Sequence, residues 1–318
     1  MLILSMGIPH KNIDNLEEGR RFIKAIILVI DWKRKKVIKE IAYEPPPGHL
    51  GAGISRMFKG ACIFKNRYYV VTNTELLEYD LNNWRLQRVV SHPSFNDLHG
   101  VFVDANYTYL CNTGLEVVQL LKNGRIIQAI NMADTPTGER FSEKKDYRTV
   151  PNTKPHEAHI NHICAFNKKL WVTRFQKRDA VALLDKSQKI SMPVDAGCHD
   201  GKVMGESVFF TTVNGHILEF DTHTLRLKKG YNINTYTNRG IGWTRGLEIH
   251  GGYAYLGISA LRHSRFKEYA KGIIKGRENQ LMPSSLLKID YRNEKIVDQF
   301  NIPYRRAAVY TILKHPES

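Results

Sequence analysis

The chain has 318 residues, with 47 lysines and arginines against 31 aspartates and glutamates, a formal net charge of +16, and an apolar fraction of 42%. That apolar content is ordinary for a folded globular protein and excludes a disordered chain, and no apolar run nears the roughly 20 residues of a membrane-spanning helix, so no transmembrane segment is expected. The charge favours an anionic partner, but no RNA-binding signature, helix-turn-helix pattern or C2H2 finger accompanies it, so nucleic acid is not the expected one.

The opening Met1–Met6 is apolar but too short for a signal-peptide core and reads as a strand, which makes a cytoplasmic location the expectation. Further strands are predicted at Ile26–Asp31 and Val37–Ile41, with Asp14–Ala25 ahead of them reading as partly helical. A short phrase then begins to recur: a basic residue or histidine, a small or apolar residue, and an apolar strand. It opens at Lys59-Gly60, His99-Gly100, His162-Ile163, His199-Asp200-Gly201, Arg245-Gly246 and Arg306-Ala307.

Between returns of the phrase the chain offers short alternating runs. The first unit gives strands at 61–64, 68–72, 76–80 and 86–90, and the second at 101–104, 108–111, 117–120 and 126–130, with Asn123-Gly124 as a hairpin turn. The third runs through Cys164, Leu170–Thr173, Val181–Asp185 and Ile190; the fourth through Val203, Val208–Thr212, His216–Asp221 and Leu225–Leu227. Asn214-Gly215 links the fourth unit's second and third strands, and Asp80, Asp185, Asp221 and Asp290 each end an apolar third strand. Spacings of 40 residues from Gly60 to Gly100 and 45 from Gly201 to Gly246 match four-stranded propeller blades.

The last unit supplies one strand before the chain ends, and the N-terminus supplies three. Joined, they complete one blade. The fold expected is therefore all-β, a single six-bladed β-propeller over residues 1–318, closed by N- and C-terminal strands in one blade. The long insertions, residues 6–25, 43–58, 131–161, 229–244 and 260–283, all fall on the face where the inner strands begin. One of them, Ser264–Lys275, places apolar residues at helical spacing among lysines.

A ring would gather the phrase-opening side chains at the mouth of its channel. His99, His162 and His199 could then ligate one divalent ion, Zn, Fe, Ni or Cu, and His156, Glu157 and His159 are alternative donors nearby. With Asp200, the same three histidines are the candidate catalytic groups. Lys59, Arg56, Arg245, Arg305, Arg306 and His159 are the candidate contacts to an anionic substrate, with Arg245 foremost. Asp97 and Glu248 are further carboxylates of the mouth. Cys198 and His199 are adjacent in a strand, so their side chains diverge and form no nucleophile pair. Four cysteines without CxxC spacing imply neither zinc ribbon nor disulfide framework. Without a Walker loop or dinucleotide fingerprint, no nucleotide cofactor is expected.

The segments Asp97-Leu-His-Gly-Val-Phe-Val, His159-Ile-Asn-His162, His199-Asp-Gly, Trp243-Thr-Arg-Gly-Leu-Glu-Ile-His250 and Gly257-Ile-Ser-Ala-Leu-Arg262 appear in this order. They resemble the phrases of a bacterial group of uncharacterised propeller-like proteins. The resemblance spans roughly residues 95 to 262 and implies the same fold and the importance of His99, His159, His199 and Arg245. His162 stands where that group carries glycine. The function expected is a metal-assisted lyase, hydrolase or isomerase acting on a small anionic substrate in a His/Arg-lined funnel. The alternative is a non-catalytic module that captures an acidic glycan or protein segment.

Overall fold

Runs with a period of two become strands because one face of each is buried between neighbouring sheets. The computed structural model describes residues 1–17, 19–260 and 281–316, and its strands form six four-stranded sheets. The first blade holds β4 (Ala61–Phe64), β5 (Arg67–Val71), β6 (Glu75–Asp80) and β7 (Leu86–Ser91). The second holds β8 (Leu98–Val103), β9 (Thr108–Asn112), β10 (Val117–Lys122) and β11 (Arg125–Asn131); the third, β12 (Ile160–Phe166), β13 (Lys169–Arg174), β14 (Asp179–Ala182) and β15 (Asp185–Ser191). The fourth holds β16 (Cys198–Met204), β17 (Ser207–Thr212), β18 (His216–Asp221) and β19 (Leu227–Asn232); the fifth, β20 (Trp243–His250), β21 (Tyr253–Ser259), β22 (Ser285–Asp290) and β23 (Lys295–Asn301).

The sixth sheet joins the two ends of the chain. Its order is β24 (Ala308–Lys314), β1 (Leu2–Pro9), β2 (Phe22–Asp31) and β3 (Lys36–Tyr43), with Leu2 opposite Lys314 and Ser5 opposite Thr311. The inner strands β4, β8, β12, β16, β20 and β24 touch one another in closed succession, which makes the ring.

The core lies between blades. Ile3, Phe58 and Leu77 pack where the sixth blade meets the first, Phe209, Leu247 and Leu287 where the fourth meets the fifth, and Leu4, Leu286 and Val309 where the fifth meets the sixth. Outer strands carry much of the excess charge, with Lys36, Arg88, Arg125, Lys189, Lys228 and Lys295 on the exposed edges, where charge discourages further strand pairing.

Several local expectations are corrected. Among the described residues of Asp14–Ala25 the helical content is the 3-10 turn Ile13–Asn15, and Phe22–Ala25 belong to β2, paired with β1 through Ala25–Gly7 and Phe22–Pro9 with a register shift between Ile8 and Pro9. Pairing with a neighbouring strand outweighs weak helical spacing. In the third blade the third strand stops at Ala182, and Asp185 opens the fourth strand instead of ending the third. Leu225 lies in a turn at φ 58, so its strand begins at Leu227. Within 131–161 the helical content is Thr137–Arg140 and a 3-10 turn at Tyr147–Thr149. The expected helix Ser264–Lys275 lies outside the described residues.

Candidate functional site

Each inner strand is broken near its start by a bulge, and the bulge decides which side chain turns to the channel. In the first blade Lys59 and Gly60 both face Val71. His99 is unpaired between Leu98 and Gly100 in the second, Asn161 between Ile160 and His162 in the third, and Tyr310 between Val309 and Thr311 in the sixth. Asp200-Gly201 and Arg245-Gly246 are passed over in the fourth and fifth. The glycines serve the close approach of neighbouring inner strands: a Cβ on Gly60 would strike the His99 carbonyl, and one on Gly100 would lie 3.1 Å from the Cα of His162.

This register corrects three phrase assignments. In the fourth blade the equivalent of His99 and Arg245 is Asp200, and His199 pairs with Thr211 one position earlier. In the third blade the equivalent of His99 is Asn161, whose amide donates to the Cys198 carbonyl at 2.8 Å and whose oxygen accepts from Thr173 at 2.6 Å. In the sixth it is Tyr310, four residues beyond Arg306. The Arg306 guanidinium instead grips Asp14 through two bonds of 2.9 and 2.8 Å. A basic residue followed by a small one matches the phrase at either place; only strand pairing picks the register.

The side chains that meet at the mouth form a collar. The Arg245 guanidinium lies 3.5 Å from the centre of the Tyr310 ring, Tyr310 is 6.1 Å from His99, and His99 is 5.1 Å from His159. Phe175 bridges onward, 5.3 Å from His159 and 5.5 Å from His199, and His199 lies in the field of Arg245. Arg245, His99 and His199 are 7%, 8% and 7% exposed. Phe175 arrives because its N–H bonds the His159 carbonyl at 3.0 Å, prolonging the β12–β13 pairing past the strand ends.

The other candidates lie elsewhere or are already engaged. Lys59, 2% exposed, is bonded to Asp97. Arg56 pairs with Glu44 in solvent, and Arg305 is exposed. His162 stands one register past the bulge, where its Cδ2 is 3.2 Å from where a Gly201 Cβ would be, in the field of Lys202, which itself bonds Glu248 at 2.7 Å. The Asp200 carboxylate accepts from the Thr211 hydroxyl and from the Gly246 N–H at 3.1 Å, so it braces the bulge that presents Arg245. Phe175 and Tyr310 were missed, although Tyr310 sits within the recurring phrase itself.

Of the expected metal ligands, His162 is out of register with His99, and among the described residues no three His, Cys, Asp or Glu side chains form a metal-holding group. No step is routed through an ion.

Burial controls the ionisation of the collar. Burial first, then the charge of Lys59, holds His99 well below the usual imidazole range; burial and then His156 bring His159 down to about 3. Burial and then Lys202 bring His162 to about 4, and burial with Arg245 keeps His199 well below its usual value. For Asp97 burial works the other way, but Lys59 and the neighbouring histidines win and hold its carboxyl well below the usual range. Burial lifts Asp200 to about 6 against the bonds that oppose it.

Hydrogen bonding assigns the tautomers. Thr153 gives its only proton to the Gly114 carbonyl at 2.6 Å, so at 3.1 Å it must accept from His156 Nε2. A neutral His156 with a proton on Nε2 has a bare Nδ1, which therefore accepts from His159 Nδ1 at 2.8 Å. His159 is left with a lone pair on Nε2. The Asp97 carbonyl likewise requires the proton of His99 on Nδ1, and its Nε2 is bare too. Behind them Glu116 secures the loop: its carboxylate accepts from the N–H groups of Glu157 at 3.0 Å, Ala158, and His159 at 2.9 Å, and bonds Arg140. That bracing holds His159 in left-handed backbone at φ 51.

No sequence-family signature and no curated protein matches the chain. Solved structures do. A protein of unknown function from Bacteroides caccae is similar at TM-score 0.60 and 12% identity, covering 98% of this chain and 97% of its own. The structure described as a nidogen/laminin complex is similar at TM-score 0.56 and 10% identity, with 98% and 97% covered. A streptogramin B lyase is similar at TM-score 0.52 and 11% identity, with 96% and 89% covered. At such identities the likeness shows the propeller fold alone. Among the described residues no helix is long and apolar enough to cross a membrane.

Proposed function

We propose that the protein is an enzyme of the lyase or isomerase type, which anchors a small anion on Arg245 and moves a proton at His159 Nε2. The observation that carries this is the pairing of two features inside one buried collar. Arg245 spends only its Nε, on the Val309 carbonyl at 2.7 Å, and forms no ion pair among the described residues, while the neighbouring imidazoles are neutral with bare Nε2 atoms. A guanidinium edge pairs with a carboxylate through two parallel bonds.

With a carboxylate so held, the adjacent carbon lies within the collar. His159 Nε2 takes the proton from that carbon, and the C–H pair stays on the substrate as an enolate stabilised by Arg245. Elimination follows if a leaving group departs from the next carbon with its bonding pair; isomerisation follows if the proton returns elsewhere. The imidazolium is steadied by its Nδ1–H bond to His156. Burial is the first cause of the low basicity of His159 and its positive neighbours come second; a bound anion opposes the second cause. That a streptogramin B lyase shares the fold supports the reaction class by analogy only. Capture of an acidic polymer is less favoured, because Lys59, Arg56 and Arg306 are all paired with acids.

The test is solvent exchange. The protein is incubated in D2O with a panel of small carboxylates, and deuterium entering the carbon next to the carboxylate is followed by NMR. The expected result is exchange of at least one acid, lowered about 100-fold in His159→Gln and abolished in Arg245→Gln. Binding without exchange in every case would instead identify a capture module.

A further inference from the structure

The charge of the collar is smaller than the composition suggests. Of the cations that open the recurring phrase or stand beside it, Lys59 is bonded to Asp97, Arg56 to Glu44, Arg306 to Asp14 and Lys202 to Glu248, while Arg305 is exposed to solvent. Arg245 forms no ion pair among the described residues, and it is more than nine-tenths buried. Apart from the Asp200 carboxylate, which is held by the Thr211 hydroxyl and the Gly246 N–H, the remaining wall is made of rings: Tyr310, His99, His159, Phe175 and His199, with Trp243 5.9 Å from the Arg245 guanidinium.

We propose that this site selects a monocarboxylate with a flat aromatic or conjugated body, and discriminates against dianions and phosphate. The inference rests on the reading of Arg245 as the anion anchor. One buried guanidinium neutralises one negative charge; a second would sit against neutral rings without a partner, and an unpaired buried charge is costly. The same rings reward a flat body by burying it and stacking on it. Acetate carries the charge but fills none of the wall. Phthalate has the flat body and one charge too many.

Calorimetric titration at pH 7.5 and constant ionic strength, with benzoate, acetate, phthalate and inorganic phosphate against the full chain, tests this. Benzoate is expected to bind at least about tenfold more tightly than each of the others. Arg245→Gln is expected to weaken benzoate by about tenfold or more, and Phe175→Leu to weaken benzoate several-fold while leaving acetate unchanged. Phthalate or phosphate binding as well as benzoate, and depending on Arg245, overturns the selectivity while the anion anchor stands. No Arg245-dependent binding of any probe overturns both. If Arg245→Gln does not fold by circular dichroism, the wild-type order of affinities and Phe175→Leu decide the matter.

Discussion

The Nδ1 atoms of His156 and His159 stand 2.8 Å apart, so one ring carries its proton there and the other offers a lone pair. Because Thr153 hands its own proton to Gly114, the choice between the two is made outside the collar, by a hydroxyl that touches no substrate.

Removing that hydroxyl is expected to release the choice. In Thr153→Val the His156 Nε2 loses its acceptor, and the His159 tautomer becomes mixed. Nitrogen chemical shifts of labelled histidine check this: the wild type is expected to show a bare Nε2 on His159, and the variant an averaged signal with exchange activity about tenfold lower. An unchanged His159 signal in the variant would show that the relay does not set the tautomer.

Glu116 is expected to matter more for stability than any surface carboxylate. Replacing it by glutamine aims an amide N–H₂ at backbone N–H groups and leaves Arg140 without its buried partner. Urea unfolding should show a loss of about 3 kcal/mol, the scale of a broken buried charge pair.

His159 and His162 should make the protein acid-labile. Their folded values, about 3 for His159 and about 4 for His162, lie below the unfolded value near 6.5, so between these limits the unfolded chain binds the extra protons. Their stabilising contribution is complete above pH 6.5 and is lost as pH falls toward 4, each group giving a slope of about 1.4 kcal/mol per pH unit. Asp200, raised to about 6, has the opposite sign, its contribution present below its unfolded value and lost as pH rises through 6. Stability measured from pH 4 to 7 should therefore rise with pH, and His159→Gln should flatten the rise.

Gly60 is the tightest of the phrase glycines. A methyl group there would strike the His99 carbonyl and come within 2.7 Å of the Gly100 Cα, both backbone. Gly60→Ala is expected to cost about 3 kcal/mol in urea unfolding, at the upper end of overpacking, and to shift His99 out of contact with Tyr310. Gly138, whose surroundings are open, is the control, and Gly138→Ala should leave the melting temperature within about 2 °C.

Much of this was open to reading without coordinates. Alternation of apolar residues between Asn-Gly and Asp-led turns marks strands because a half-buried sheet needs a period of two. A lone terminal strand facing three at the other end implies a shared blade, because an unpaired edge is unstable. That His99 and Arg245 belong together was likewise legible from their recurrence, whereas His199 stands one position before the residue equivalent to them, Asp200. The exchange of Tyr310 for Arg306 and of Asn161 for His162 was not: a bulge moves a side chain by one position or more, and the hydrogen-bond ladder that places it is made with a strand elsewhere in the chain. Nor could composition reveal that Lys59 and Arg306 are neutralised by Asp97 and Asp14, the second of these pairs spanning 292 residues. The amino-acid order determined the repeat and the ring, because both follow from local pattern. Which cation is left unpaired, and which imidazole nitrogen is left bare, was decided only by tertiary contacts, because charge and tautomer depend on what lies within a few ångströms.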